Sequence, residues 1–244
     1  MTSKNDKDLG LLDNVFWHAL TGPQAHCAAG TAQARRYAAG FSPILAFADA
    51  ERPDFAALNP FCAFDEHFYV ACWSGPLPAG WQLDAEAVMV NMVWDGETPA
   101  EDAAPEAIRL EASHAPQALA LAELTRPGPF GLRTIELGEY FGVFEGEGEG
   151  ERLVAMAGER SCAGNLREIS GVCTDPDFQG RGLARRLMLK LIRRQVERGE
   201  TPFLHVMREN DTARALYRRM GFVDYCEKVV RVVSRIDAVG VSKR

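Results

Sequence analysis

The segment Val172-Cys173-Thr174-Asp175-Pro176-Asp177-Phe178-Gln179-Gly180-Arg181-Gly182-Leu183-Ala184 carries residue types that can hold an anion. It reads as a strand ending at Asp175-Pro176, a tight glycine turn, and the opening of a long basic helix. The first amides of a helix have no partner inside it, and the helix dipole puts partial positive charge there. Gly180 and Gly182 leave that backbone bare, which suits a phosphate. A plain strand-to-helix turn would use glycine for its geometry alone. The chain on either side decides between the two.

The elements that must position this turn follow from periodicity. Leu183, Leu187, Met188, Leu191, Ile192 and Val196 form one apolar stripe, with Arg185, Arg186, Lys190, Arg193 and Arg194 largely off it. Gly199 ends that helix. Leu166 to Thr174 is the strand before the turn, and alternation puts Glu168, Ser170, Val172 and Thr174 on one face, with Cys173 on the other. Phe203 to Met207 is a short apolar strand interrupted by His205. Asn210-Asp211 caps a helix over Thr212 to Met220, ended by Gly221, and Phe222 to Ser234 is a long final strand. Upstream, Ile108 to Leu110 is a short strand and Ala115 to Thr125 a helix stopped by Arg126-Pro127-Gly128-Pro129. Tyr140 to Phe144 and Leu153 to Gly158 are strands flanking the acidic, glycine-rich tip Glu145 to Glu151. Strand–helix–strand units of this kind predict a partly parallel sheet with helices on its faces.

The first hundred residues are harder to read. Ile44 to Ala48, His67 to Trp73 and Val88 to Trp94 predict strands, and Pro23 is placed to open a helix through Ala34 to Ala38. Trp17, His18, His26 and His67 are candidates for a pocket wall, although a lone histidine beside aromatics is commonly a packed core residue. The acidic, proline-containing stretch Asp95 to Glu106 suggests a linker. It separates a smaller α/β region, 1–104, from a second domain, 105–240.

Composition narrows the function classes. The 244 residues are 47% hydrophobic and 25% charged, as in an ordinary globular protein. No apolar run is long enough to span a bilayer, and Met1 to Asp8 lack a signal-peptide pattern, so a cytoplasmic protein without a membrane partner is expected. The six cysteines form no Cys-x-x-Cys pair and sit among apolar neighbours, which predicts buried free thiols and no metal. Residues 1–150 carry 8 Lys and Arg against 22 Asp and Glu, a net of −14, whereas 151–244 have a net of +7. The acidic half favours a cationic partner. The basic helix lacks interleaved aromatics, which argues against nucleic acid. No Gly-Lys-Ser/Thr follows the turn, which argues against a nucleotide P-loop.

Two motifs together give the chain a likeness. Gln179-Gly180-Arg181-Gly182-Leu183-Ala184 resembles the Gln/Arg-x-x-Gly-x-Gly/Ala signature of the GNAT superfamily of acyl-CoA-dependent N-acetyltransferases. About 30 residues on, Asn210, Ala213 and Leu216-Tyr217-Arg218-Arg219-Met220-Gly221-Phe222 resemble its second signature. The likeness covers roughly residues 105 to 235. It implies a GNAT-like mixed α/β sheet flanked by helices, with acetyl-CoA as co-substrate and a small-molecule or peptide amine as acceptor. It implies direct attack of a primary amine on the thioester in a ternary complex. The cofactor residues would be Gln179, Gly180, Arg181, Gly182, Leu183 and Ala184 for the pyrophosphate, with Arg185 as a further cation. Val172, Cys173 and Thr174 would lie along the pantetheine arm, the amide of Val172 or its neighbour giving an oxyanion donor, with Asn210 and Ala213 beside the cofactor. Tyr217 would be the general acid.

Glu168, eleven residues before Gln179, matches the offset of a catalytic glutamate in histone-acetyltransferase members, and a carboxylate on a central strand is costly to bury. The base is therefore Glu168, His205 or water. Residues 1–104 are then either a degenerate copy of the same fold or a wall of the acceptor site, and a homodimer is open. A non-catalytic acyl-CoA-binding regulatory module is the alternative.

Overall fold

In the computed structural model the described residues are 6–64, 66–146 and 148–236. The leading segment Met1 to Asn5 and Glu147 of the acidic tip lie outside them. Eleven strands form one sheet: β1 (Ala28–Gly30), β2 (Ala34–Tyr37), β3 (Ile44–Phe47), β4 (His67–Ala71), β5 (Trp81–Trp94), β6 (Ile108–Arg109), β7 (Tyr140–Glu145), β8 (Arg152–Ala163), β9 (Leu166–Thr174), β10 (Thr201–Met207) and β11 (Phe222–Arg235). Helices α1 (Asp6–Leu9), α2 (Val15–Thr21), α3 (Ala115–Thr125), α4 (Leu183–Glu197) and α5 (Asp211–Arg219) accompany it. The spatial order is β1-β2-β3-β4-β11-β5-β10-β9-β8-β7-β6. The pairs β3/β4 and β9/β10 are parallel and the rest antiparallel. This is the mixed α/β sheet with flanking helices that the sequence predicts.

The expected helix from Pro23 to Ala38 does not form. The chain makes a short helix earlier, at α2, and then the hairpin β1–β2. Alanine favours helix, but the Thr31 hydroxyl accepts hydrogen bonds from the Gln33 and Ala34 amides and fixes a turn. Gly30 supplies a φ of 133° there. The strand β2 then buries Ala34 and Tyr37 completely. Side-chain turn chemistry and burial override a propensity of a few tenths of a kcal/mol, about 0.5 per residue.

The position of β5 shapes the whole sheet. It belongs to the first hundred residues, yet it lies between β10 and β11. It pairs with β11 from Trp94↔Phe222 to Trp81↔Arg235 and with β10 from Val93↔Phe203 to Met89↔Met207. The stretch 95–106 leads out of β5 to the far edge strand β6, so sequence-distant segments share one hydrogen-bonded sheet. Gly221 explains itself here. It enters β11 with φ 102°, and a Cβ on it would come within 2.8 Å of the Gly96 Cα. Asp95 donates its amide to the Gly221 carbonyl at 2.9 Å.

Both faces of the sheet are covered. Leu187, Met188, Leu191 and Ile192 of α4 are fully buried against Val90, Met92, Leu204 and Val206. The other face packs α2 through Val15, Phe16 and Leu20, and α3 through Ala118, Leu121 and Ala122. Four of the cysteines are buried, while Cys72 and Cys226 are half-exposed. None is in a disulfide. No helix among the described residues is long and apolar enough to cross a membrane.

Because β10 and β11 both bond to β5, residues 105–244 expressed alone should show no cooperative thermal transition in circular dichroism. Co-expression with residues 1–104 should restore one. A cooperative transition in the isolated fragment would refute this dependence.

Candidate active site in the cleft between β9 and β10

The two parallel strands β9 and β10 are paired only at their starts, from Leu166↔Thr201 to Glu168↔Phe203. Beyond that point they part. A cavity of about 450 Å³ fills the opening, lined by Ile169 to Val172 on one side and Leu204 to Met207 on the other. Tyr217 and Asn210 of the following segment also border it. Phe16, Ile44, Tyr69 and Met89 close it from the first hundred residues.

Gly171 changes the register of β9. It has φ 63°, and it interrupts the pairing with β8 so that Ser170 faces Gly158 while Cys173 faces Met156. Gly158 and Met156 are two apart and share a face, so Ser170 and Cys173 share one as well. The expected alternation therefore inverts at this bulge. Cys173 packs with Ala118, Leu121 and Ala122 of α3, and burial pushes its thiol up to about 11. Val172 turns to the α4 side and to the cavity. Sequence alternation missed this because a single left-handed glycine resets the period.

Glu168 lies beneath the cavity, not in its lining, and is completely buried. A second bulge in β8 places two residues, Arg160 and Ser161, opposite this one glutamate. Arg160 donates from Nη2 to Oε1 at 2.5 Å and from Nε to Oε2 at 3.1 Å. Ser161 Oγ donates to Oε2 at 2.6 Å, and His205 Nδ1 is 2.7 Å from Oε1. Burial alone would raise the carboxyl pKa, but the Arg160 guanidinium and His205 hold it well below the usual carboxylate range. Glu168 is thus an ionised, saturated acceptor.

His205 is fixed from three sides. Its ring stacks on Phe16 at 5.4 Å and meets the edge of Phe203 at 5.6 Å, while Nδ1 faces Glu168. An ionised carboxylate there is an acceptor, so it takes a hydrogen bond from a protonated Nδ1. Nε2 is buried and has no hydrogen-bond partner among the described residues, and the same holds for Asn91 Oδ1. His205 and Asn91 are direct cross-strand partners on β10 and β5. Both border a second cavity of about 10 Å³, the scale of one water molecule. Asn91, Arg160 and Phe16 were invisible in the sequence, because only the sheet order and the β8 bulge bring them to Glu168 and His205.

Tyr217 lies half-buried at the cavity, edge-on to Phe222 at 6.1 Å, and burial raises its pKa above the ordinary phenol value. Asn210 caps α5, its Oδ1 accepting from the Ala213 amide at 3.0 Å. The glycine turn is exposed. Gly180 and Gly182 have φ of 77° and 73°, and open space lies where their Cβ atoms would be. Gly182 starts α4 with no side-chain cap, leaving its first amides outward. Arg181 stands over the Phe178 ring at 4.6 Å and pairs with Glu145 at 3.2 Å. Gln179 to Ala184, Cys173 and Thr174 do not line the cavity, whereas Val172, Asn210 and Tyr217 do. Trp17, His18, His26 and His67 are not part of it, and His67 pairs instead with Asp84 at 2.9 Å. Among the described residues no group of three or more His, Cys, Asp or Glu is arranged to hold a metal.

A sheet opened between two parallel strands, with an uncapped helix start nearby, is the arrangement that the likeness to the GNAT superfamily implies. Residues 140–232 match the family described as FR47-like protein. A putative acetyltransferase from the GNAT family of Novosphingobium aromaticivorans is 33% identical, aligned over 93% of this chain and 99% of that one, with a TM-score of 0.82. A GCN5-related N-acetyltransferase from Kribbella flavida shares the fold over 93% of this chain and 96% of its own, at 15% identity and a TM-score of 0.57. The N-alpha-acetyltransferase RimI of Mycobacterium tuberculosis is 44% identical over 55 residues, which are 22% of this chain and 34% of that protein, so the match spans about a third of that curated relative. The chain belongs to the GNAT family of N-acetyltransferases.

Replacing Glu168→Gln should destabilise the fold by about 3–5 kcal/mol in urea unfolding, because it strands the buried Arg160 charge. The pH dependence has a definite sign. The folded-state pKa of Glu168 lies below its unfolded value, so its contribution is complete above about pH 4.3 and is lost as the pH falls below it. The variant should show a smaller loss of stability over that acid range than the parent protein. Equal acid slopes would contradict the assignment.

Proposed function

We propose that the protein transfers an acetyl group from acetyl-CoA to a primary amine by direct attack in a ternary complex. The observation that carries this reading is the cleft where β9 and β10 part, with Val172 on one wall and Tyr217 at its border. The outward amides at Gly180 to Ala184 suit the pyrophosphate, with Arg181 and Arg185 adding charge. The unpaired stretch of β9 beyond Glu168 offers backbone groups to the pantetheine arm as an added strand would. Asn210 and Ala213 flank that arm at the start of α5. Residues 1–104 supply the acceptor-side wall through Phe16, Ile44, Tyr69 and Met89. This supports a wall rather than a degenerate second copy.

The amine nitrogen attacks the thioester carbonyl carbon, and the Val172 amide stabilises the resulting oxyanion. The carbon–sulfur bond breaks, and the thiolate takes the Tyr217 proton. Burial keeps that hydroxyl protonated at neutral pH, the form an acid needs. The proton lost by the amine passes to His205 Nε2, directly or through water. Glu168 is the positioning residue that fixes the histidine tautomer. It does not act as the base itself, since its oxygens are fully engaged and its proton affinity is low.

Tyr217→Phe should lower kcat by about 10²- to 10⁴-fold in a thiol-release assay. Calorimetric affinity for acetyl-CoA should stay close to that of the parent. Unchanged turnover would remove Tyr217 from the mechanism. Tight acetyl-CoA binding with no transfer to any amine by the parent protein would indicate a binding module instead.

A further inference from the structure

Resting on the transferase reading, we infer that the acceptor is a small amine carrying an apolar side group and a carboxylate, a free apolar amino acid in its chemistry, and not a polycation. The charge on the cavity wall carries this. The chain has 34 Asp and Glu, and its first 150 residues are strongly acidic. Yet among the described residues no carboxylate lines the cavity, and the charged ones that do are Arg126 and Arg160. Arg160 is neutralised by Glu168. The Arg126 side chain is exposed and has no ion pair or hydrogen bond among the described residues. Arg126 therefore borders the cavity as an exposed residue whose charge has no partner among the described residues. A cationic acceptor expected from overall charge would meet repulsion there, with no anion to replace its hydration.

Arg126 is also held in a costly conformation. It is the left-handed C-cap of α3, with φ 52°, and its amide bonds the Ala122 carbonyl at 2.7 Å. Glycine is the usual residue at such a position, because an L side chain there crowds the backbone. Pro127 and Pro129 stiffen the segment that follows and also line the cavity. Such strain clusters where a ligand is clamped. A guanidinium so placed can bind a carboxylate through two parallel hydrogen bonds. The same cavity is lined by Phe16, Ile44, Tyr69 and Met89, a set without charge that suits one apolar side group. The 450 Å³ must also admit the thioester end of the co-substrate, which leaves room for a small molecule. The absence of acidic partners also favours the neutral, attacking form of the amine.

The test compares L-phenylalanine with phenethylamine, spermidine and a phenylalanine-first peptide amide, each with acetyl-CoA, by thiol release. kcat/KM for L-phenylalanine should exceed each of the others by about tenfold or more. Arg126→Gly, which suits the left-handed backbone, should keep or raise Tm. It should raise KM for L-phenylalanine about tenfold and move that for phenethylamine far less, and Arg126→Lys should recover part of the loss. Calorimetry with N-acetyl-L-phenylalanine in the presence of CoA should show the same ranking of the variants. Preference for spermidine or the peptide amide, or equal effects of Arg126→Gly on both phenyl amines, would overturn the acceptor assignment and leave the transferase reading standing. Acetyl-CoA binding with transfer to none of these amines or to an amine library would overturn both.

Discussion

The buried carboxylate of Glu168 is the constraint on which the site depends. A charge taken fully out of water must be matched by donors with good geometry, or the cost exceeds what the fold can supply. Arg160 and Ser161 from the β8 bulge and His205 from β10 meet that requirement. The β8 bulge exists at the point where two side chains must reach one acceptor. The Glu168↔Phe203 pair is also the last rung before β9 and β10 separate. The cleft thus opens directly above a cluster whose geometry cannot relax without stranding a charge. A floor of that kind holds the His205 ring in one orientation.

The open cleft would be a weakness in an isolated half-sheet. Parallel strands that part leave backbone groups unpaired and apolar side chains bare. Here β5 supports β10 from the other edge, so β10 keeps a full ladder on one side while its other side diverges. The same strand carries Asn91 opposite His205 and Met89 on the cavity wall. The first hundred residues are therefore part of the site's scaffold and of its lining at once. Fold stability and cavity shape are coupled through β5, because the strand that completes the sheet also borders the cavity.

Charge is distributed by local pairing and not by segment. The basic residues of α4 are mostly matched by acidic residues of the preceding segments: Arg186 with Glu106, Lys190 with Asp102, and Arg194 with Glu139. The strong polarity between the two halves of the sequence largely cancels across that helix. What remains at the cavity is the small positive excess of Arg126, opposite in sign to the chain as a whole. Net charge describes the long-range field, whereas recognition depends on the few groups left without partners.

The sequence by itself determined the second half of the fold. Helix α4, the cap at Asn210, and the strands β7 and β9 follow from periodicity and capping, which act within a few residues. The glycine turn and the Leu216-to-Phe222 motif likewise carry the family assignment, because their geometry is local. Only the tertiary structure decided the rest. Alternation failed at Gly171, where one positive φ reverses the side-chain faces, and propensity failed between Gly30 and Tyr37, where a threonine turn and burial outweigh alanine. The place of β5 between β10 and β11, and the meeting of Asn91, Arg160, Glu168 and His205, depend on strand order. Hydrogen bonds between strands carry no sequence signature, so residues more than a hundred positions apart become neighbours with no mark of it in the chain.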